Sequence, residues 1–159
     1  MKENIKDKIL FVCLDEKFGE EASRTFADSL TLHFANCKEL IEYDLFNSGE
    51  VLSQCGEDYY LMREKKVIKS TCGYENTVMF ANYDIYYHNR EVFSKYSTKV
   101  YLKIAKKALS KQETLNKLDF ETRNAELEKN SDFVVSLKNL SVKGAIKEIY
   151  KVLGGIWWT

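Results

Sequence analysis

Short apolar runs alternate with amphipathic stretches along the chain. Four of the runs are rich in strand-forming residues and are bounded by charges, which predicts buried strands at 8–14, 77–81, 99–102 and 132–137. Between them, apolar residues recur at close to helical spacing. This spacing predicts the following helices: 20–32, 38–46, 56–72, 89–96 and 142–153.

The helix boundaries have local signals. Gly73 is placed to cap the helix before it, and Ser141 is placed to N-cap the last helix, which the pair Gly154–Gly155 is expected to end. The charged stretch 103–130 is predicted to be helical throughout, with a break around 110–118.

Strands separated by helices indicate an α/β fold with a mostly parallel sheet that helices cover on both faces. Ligands bind such sheets at the carboxyl ends of the strands. The segments at which chemistry is expected are therefore 14–19, 36–38, 82–84 and the stretch after 102.

The length of 159 residues predicts one domain, 1–159, with a sizeable core. Lys and Arg number 24 and so do Asp and Glu, and this neutral balance argues against nucleic-acid and anionic-membrane partners. The charged start, MKENIKDK, is unlike a signal peptide, which predicts a cytoplasmic protein. Four cysteines without a CxxC pair, together with two histidines, predict reduced thiols and no zinc site.

Four segments resemble the shikimate kinases, which are small P-loop kinases. They are FANCKELIE at 34–42, GEDYYLMRE at 56–64, NTVMFANYD at 76–84 and RNAELEKNSDFVV at 123–135. The resemblance runs from about residue 9 to about residue 153. It implies a three-layer α/β/α P-loop-kinase-like domain with a five-stranded parallel sheet and a short lid at about 103–123.

The resemblance also locates the residues that should bind nucleotide. The family has GxxxxGK[ST] after the first strand, and this chain has CLDEKFGE. Cys13 and Phe18 then stand at the two glycines, Gly19 at the lysine and Glu20 at the hydroxyl position. If the alignment with the motif is shifted by one residue, Glu20 stands at the lysine position. The candidate nucleotide-binding residues are therefore Lys17, Gly19 and Glu20, in a degenerate motif.

The segment 15–21 holds four acids and one lysine, a net charge of −4 + 1 = −3. This charge opposes a triphosphate. Asp15, Glu16 and Glu20 could instead bind a divalent metal. The simpler interpretation is that these acids stabilise the first turn of a helix, and no metal ligand is predicted.

The acceptor side departs from the family pattern as well. Asn36 and Lys38 stand where the family's Asp-x-Asp supplies the candidate base, and they are the degenerate catalytic positions. Leu61 replaces the family's arginine in G-E-x-x-F-R, and Arg63 points about 200° away around a helix.

The remaining candidate substrate-binding residues lie in two segments. Asn82, Tyr83 and Asp84 replace the family's triple glycine, and Arg123 matches its substrate-binding arginine. Tyr83, Tyr86 and Tyr87 form an aromatic cluster that either stacks on a planar ligand or plugs the old pocket. His88, close by, is either a catalytic histidine or a loop residue without a role.

Three hypotheses for function follow. The leading one is a non-catalytic pseudokinase with a binding or regulatory role, no resident cofactor, and a small metabolite or a protein as its partner. The alternative is an active shikimate kinase or related small-molecule kinase that uses ATP and Mg²⁺, with Lys17 or Lys38 on the phosphates. The third is a metal-dependent enzyme on the same scaffold.

The apolar tail 154–159 adds a hypothesis about assembly. The tail is expected to dock on its own domain, to pack against another chain, or to remain an exposed apolar patch. The hypothesis is a partner or homodimer contact through Trp157 and Trp158. Unchanged stability and oligomeric state after removal of residues 156–159 would contradict it.

Overall fold

The computed structural model describes residues 8–47, 51–109 and 116–157. All five strands are parallel and lie in the order β2-β3-β1-β4-β5. The strands are β1 (Lys8–Cys13), β2 (His33–Asn36), β3 (Thr77–Ala81), β4 (Thr98–Ile104) and β5 (Phe133–Leu137). The helices are α1 (Glu16–Ser29), α2 (Cys37–Asn47), α3 (Val51–Ser70), α4 (Tyr83–His88), α5 (Arg90–Tyr96), α6 (Lys117–Asn130) and α7 (Val142–Trp157).

Helices cover both faces of the sheet, because strand side chains alternate between two apolar layers. Phe11 of β1 packs in the layer under α1 and α7 with Phe26 and Ile149. Its neighbour Leu10 packs in the opposite layer, with residues of α2 to α6. The predicted fold class, an α/β/α domain with a five-stranded parallel sheet, is confirmed.

The predicted strands match β1, β3, β4 and β5 closely, because central parallel strands are buried on both faces and read as apolar runs. The fifth strand of the sheet, β2, followed from the resemblance and not from the pattern. It has only four residues at the sheet edge, and its first three side chains are not fully buried.

Several helix predictions were wrong in detail. Helix α1 begins at Glu16, four residues before the predicted start, and helix α4 had no predicted counterpart. In the stretch predicted as helix from 103, β4 continues to Ile104 and a 3₁₀ turn follows at Lys106–Ala108. The predicted break and part of the lid fall on 110–115, outside the described residues.

Two glycine predictions also change. The helical segment α3 begins at Val51 and is interrupted at Gly56, where φ is +79°, a conformation that favours glycine. Helix α7 runs through Gly154–Gly155 to Trp157, so this pair does not end it.

The Ser141 cap is confirmed, since its Oγ accepts the Gly144 N–H at 3.1 Å. Trp158 and Thr159 lie outside the described residues.

Within the described ranges, no helix combines the length and the apolar character that a membrane crossing needs.

Candidate functional site at the carboxyl edge of the sheet

The carboxyl ends of β1, β2 and β3 bring most of the predicted site residues to one edge of the sheet. Only Leu14 and Asp15 separate β1 from α1, and α2 follows β2 without a loop. Asn82 alone separates β3 from α4. All three connections are therefore short, and each leads directly into a helix.

In the first of these connections, the Asp15 carboxylate caps the N-terminus of α1. Asp15 is 1% exposed, and its Oδ1 accepts the Phe18 N–H at 3.1 Å. A helix N-terminus binds anions through such unpaired N–H groups. Here the anion is a side chain of the chain itself, as expected if the acids stabilise the first turn of the helix.

Gly19 lies against the sheet. A Cβ atom at this position would stand 2.5 Å from Cε1 of Phe80 and 2.6 Å from Cβ of Cys13. Both neighbours are buried. The glycine therefore allows α1 to approach β1 and β3 closely, a packing role that does not require a ligand.

The two candidate phosphate lysines differ in placement. Lys17 is exposed on α1. Lys38 has its Nζ 3.5 Å from a carboxylate oxygen of Glu16, and its backbone N–H donates to Oδ1 of Asn36 at 3.0 Å. Lys38 therefore lies beside the first turn of α1, whereas Lys17 projects into solvent.

Glu20 is held by groups of this chain. It accepts a 2.5 Å hydrogen bond from the Asn36 amide and pairs with Arg24 at 3.0 Å. Among the described residues, no group of three or more His, Cys, Asp or Glu side chains is placed to hold a metal ion. The described structure thus gives the metal-enzyme hypothesis no ligand set.

The predicted substrate-binding residues come together beyond β3. Asn82 N-caps α4, its Oδ1 accepting the Ile85 N–H at 3.0 Å. The Arg123 guanidinium of α6 lies 4.8 Å from the centre of the Tyr83 ring and 3.9 Å from Asp84. Arg123 therefore faces an aromatic ring and a carboxylate of its own chain.

Tyr83 also stacks on Tyr87, with ring centres 5.7 Å apart and planes inclined by 22°. Arg90 lies over the Tyr87 ring, 4.0 Å from its centre. We call these four residues, Arg90, Tyr87, Tyr83 and Arg123, the aromatic stack. Both tyrosine rings are thus in contact with other side chains of this chain, which favours the interpretation of the tyrosines as a plug.

Sequence reasoning missed two members of this region, Arg90 and Glu126. Glu126 pairs with Arg90 at 3.2 Å and accepts the Tyr86 hydroxyl at 3.1 Å. Burial, with the Glu126 charge as a further cause, raises the pKa of Tyr86, so its hydroxyl remains a donor. The two residues are 36 positions apart and of ordinary surface types, and no sequence signal joins them.

Two other singled-out residues serve the packing of α2. Arg63 binds Asp44 of α2 with both a 3.0 Å and a 2.8 Å hydrogen bond, which joins α2 to α3. Cys37 is fully buried, and burial raises the pKa of its thiol to about 12. A buried thiol with a raised pKa is a weak nucleophile, so Cys37 contributes packing to α2.

Comparisons with known proteins agree with this geometry at the level of fold. No protein-family model and no curated protein matches the chain. Among solved structures, a shikimate kinase from Bacteroides thetaiotaomicron matches with a TM-score of 0.72 and 16% identity, over 91% of this chain and 96% of that one.

Two further shikimate kinases match in the same way. The enzyme from Acinetobacter baumannii, solved in complex with shikimate, has a TM-score of 0.70 and 14% identity, over 94% of this chain and 93% of its own. The enzyme from Aquifex aeolicus has a TM-score of 0.70 and 19% identity, over 93% of this chain and 96% of its own. The chain is therefore similar to shikimate kinases in fold along nearly its whole length, which makes it a kinase-like scaffold.

Proposed function

We propose that this protein is a non-catalytic relative of the shikimate kinases, a pseudokinase whose remaining role is binding or regulation. The observation that carries the proposal is the Asp15 carboxylate on the Phe18 N–H. Phosphoryl transfer by P-loop enzymes needs backbone N–H groups around the phosphates, a lysine on them and a hydroxyl on Mg²⁺. A two-residue connection with its own buried carboxylate is a poor substitute for that cradle.

Local charge supports the same conclusion. Glu16 and Glu20 join Asp15 at the start of α1, and they are neutralised by Lys38 and Arg24 of this chain. A triphosphate entering here would have to displace Asp15 from the helix and compete with these carboxylates for the same cations. Each step opposes binding, because like charges repel and a broken N-cap destabilises the helix.

The acceptor side supports it further. Asn36 donates to Glu20 and accepts from the Lys38 N–H, and an amide cannot act as a general base. The Arg123 guanidinium already contacts the Tyr83 ring and lies 3.9 Å from Asp84. The Asp84 carboxylate would repel an acceptor carboxylate that approached Arg123.

The test is a thermal-shift titration with ATP, ADP and Mg²⁺, with and without shikimate, beside an active shikimate kinase. A ligand at about 100 times its Kd stabilises a native protein by about 2.7 kcal/mol. The positive control should melt at a higher temperature with nucleotide, whereas this protein should melt cooperatively and unchanged. Saturable stabilisation by ATP with phosphoryl transfer to shikimate would contradict the proposal.

One observation favours the alternative of an active small-molecule kinase using ATP and Mg²⁺. Lys38 lies at the carboxyl edge, within 3.5 Å of Glu16 on the first turn of α1. If it replaces the P-loop lysine, Lys38→Ala should abolish phosphoryl transfer while Lys17→Ala, at an exposed position, leaves it intact. Absence of transfer in the unmodified protein excludes the alternative.

A further inference from the structure

A polar cavity of about 360 Å³ lies between α3 and the corner at which α4 meets α5. Its lining includes Lys65, Lys69, His88, Asn89, Arg90 and Glu91. Its lining also includes Tyr87, so it shares Tyr87 and Arg90 with the aromatic stack, and His88 is the histidine singled out in the sequence. The predicted nucleotide-binding residues, and Asn82, Tyr83, Asp84 and Arg123, do not line it. We call it the Lys65–His88 pocket.

A buried carboxylate holds the histidine of this pocket. Glu64 is 2% exposed at its side chain, and its Oε1 lies 3.2 Å from Nδ1 of His88. The same oxygen accepts a 2.9 Å hydrogen bond from the Asn89 amide, which also donates to the Ile85 carbonyl at 2.9 Å. The arrangement fixes one imidazole nitrogen and leaves Nε2 as the nitrogen available to a ligand.

Charge identifies the class of ligand. Lys65 and Lys69 lie one turn apart on α3, both exposed, and neither forms an ion pair with any residue in the described ranges. Arg90 is neutralised by Glu126, and a protonated His88 would be balanced by Glu64. The two lysines then face one carboxylate of the lining, Glu91, which leaves an excess of positive charge.

We infer that the Lys65–His88 pocket binds a small tetrahedral dianion, a phosphate group, through Lys65, Lys69 and His88. Two ammonium groups and an imidazolium N–H are three charge-assisted donors, which matches the three outer oxygens of a phosphomonoester. The cavity has room for a small organic group besides the phosphate. The inference does not depend on the proposed function, because it uses a different part of the molecule.

The binding is expected to depend on pH through His88. The charged and titratable groups around it are Glu64, Lys65 and Lys69 of α3 together with Arg90 and Glu91 of α5. When His88 is neutral with Nδ1–H donating to Glu64, Nε2 carries a lone pair and repels an anion. Affinity should therefore be higher when His88 is protonated than when it is neutral.

The chain has only two histidines, which makes NMR of the imidazole rings a direct test. His33, exposed on β2, serves as an internal control. Sulfate, which stays doubly charged across the range, is titrated at constant ionic strength with chloride as the counter-anion. We expect the His88 ring signals to shift saturably with sulfate and the His33 signals to stay in place. Equal responses of both rings, or no saturation, would overturn the inference.

The double variant Lys65→Ala, Lys69→Ala should weaken sulfate binding about tenfold or more, which corresponds to about 1.4 kcal/mol. Lys66→Ala is the matched control, because Lys66 is exposed on the same helix but does not line the pocket. Cooperative unfolding of both variants in urea verifies that they fold. Equal affinity of the double variant and the control would exclude the lysines as ligands.

Inorganic phosphate and glycerol phosphate distinguish the two sources of the anion. Tighter binding of glycerol phosphate supports a phosphorylated metabolite, and equal binding supports free phosphate. The same variants separate this inference from the proposed function. A stabilising effect of ATP that persists in the double variant, accompanied by phosphoryl transfer to shikimate, contradicts the pseudokinase proposal, whereas one that disappears in the double variant belongs to this pocket.

Discussion

The connection after β1 and the segment after β3 both start a helix at the carboxyl edge of the sheet, but the two helices pack differently. Each has an Asx residue as N-cap of the following helix, with Asp15 accepting from Phe18 and Asn82 accepting from Ile85. Beyond the cap they diverge. The first turns of α1 pack closely around the buried Gly19. Helix α4 buries Ile85 and Tyr86 in the core, but its first residue, Tyr83, contacts Arg123 in a partly exposed arrangement.

The difference indicates how readily each region could open for a ligand. Close-packed interiors resist any change in volume, so the start of α1 cannot move without disturbing Cys13 and Phe80. A cation–π contact at an exposed site is worth about 0.5–1 kcal/mol. A ligand with modest affinity could displace the aromatic stack, while displacement of α1 would cost much more.

The largest effect is expected for Gly19→Ala. The added methyl group would overlap the Phe80 ring and Cys13, neither of which has space to withdraw. Overpacking costs up to about 3 kcal/mol, and the better helix propensity of alanine returns about 1 kcal/mol. We expect the free energy of unfolding in urea to fall by about 2 kcal/mol.

Gly73→Ala is the control for this substitution. No atom lies within 4 Å of a Cβ placed there. Its free energy of unfolding should stay within about 0.5 kcal/mol of the unmodified protein. Equal losses in the two variants would show that Gly19 is not held by close packing.

The two N-caps provide a smaller and more direct comparison. Asp15→Ala should lower the free energy of unfolding by about 1.5 kcal/mol, because the cap is buried and starts a helix packed in the core. Asn82→Ala should cost about 0.5 kcal/mol, because α4 has only six residues. Urea denaturation of both variants measures the difference, and a larger loss for Asn82→Ala would reverse the comparison.

The sequence predicted the central sheet because strands buried on both faces leave apolar runs such as Thr77–Ala81. It did not reveal β2, a four-residue edge strand whose first three side chains are not fully buried. Nor did it reveal α4, which is too short for a helical period to emerge. In the stretch predicted as helix from 103 to 130, α6 confirms the part from Lys117 to Asn130. Residues 103–109 were misassigned, because a charged composition resembles a solvated helix even where β4 continues.

The candidate site could be predicted only in part. The acids of α1 were expected to stabilise its first turn, and Asp15 caps the helix. The aromatic stack depends on Arg90 and Arg123, which come from two helices, and no local pattern joins them. The Glu64–His88 contact likewise joins residues 24 positions apart. Such contacts are set by tertiary packing, which the spacing of residues along the chain does not record.

The smallest effect is expected for Arg123→Ala in the aromatic stack. It removes the guanidinium from the Tyr83 ring and from Asp84, whose side chain is 70% exposed. The loss should be about 0.5–1 kcal/mol and should come from the stacking contact, because exposed ion pairs contribute little. Arg123→Lys keeps the charge without the planar group. In urea denaturation its free energy of unfolding should lie between those of the unmodified protein and Arg123→Ala. Full stability of Arg123→Lys would instead assign the effect to charge. A loss in Arg123→Ala as large as that in Gly19→Ala would show that the start of α1 and the aromatic stack are held equally firmly.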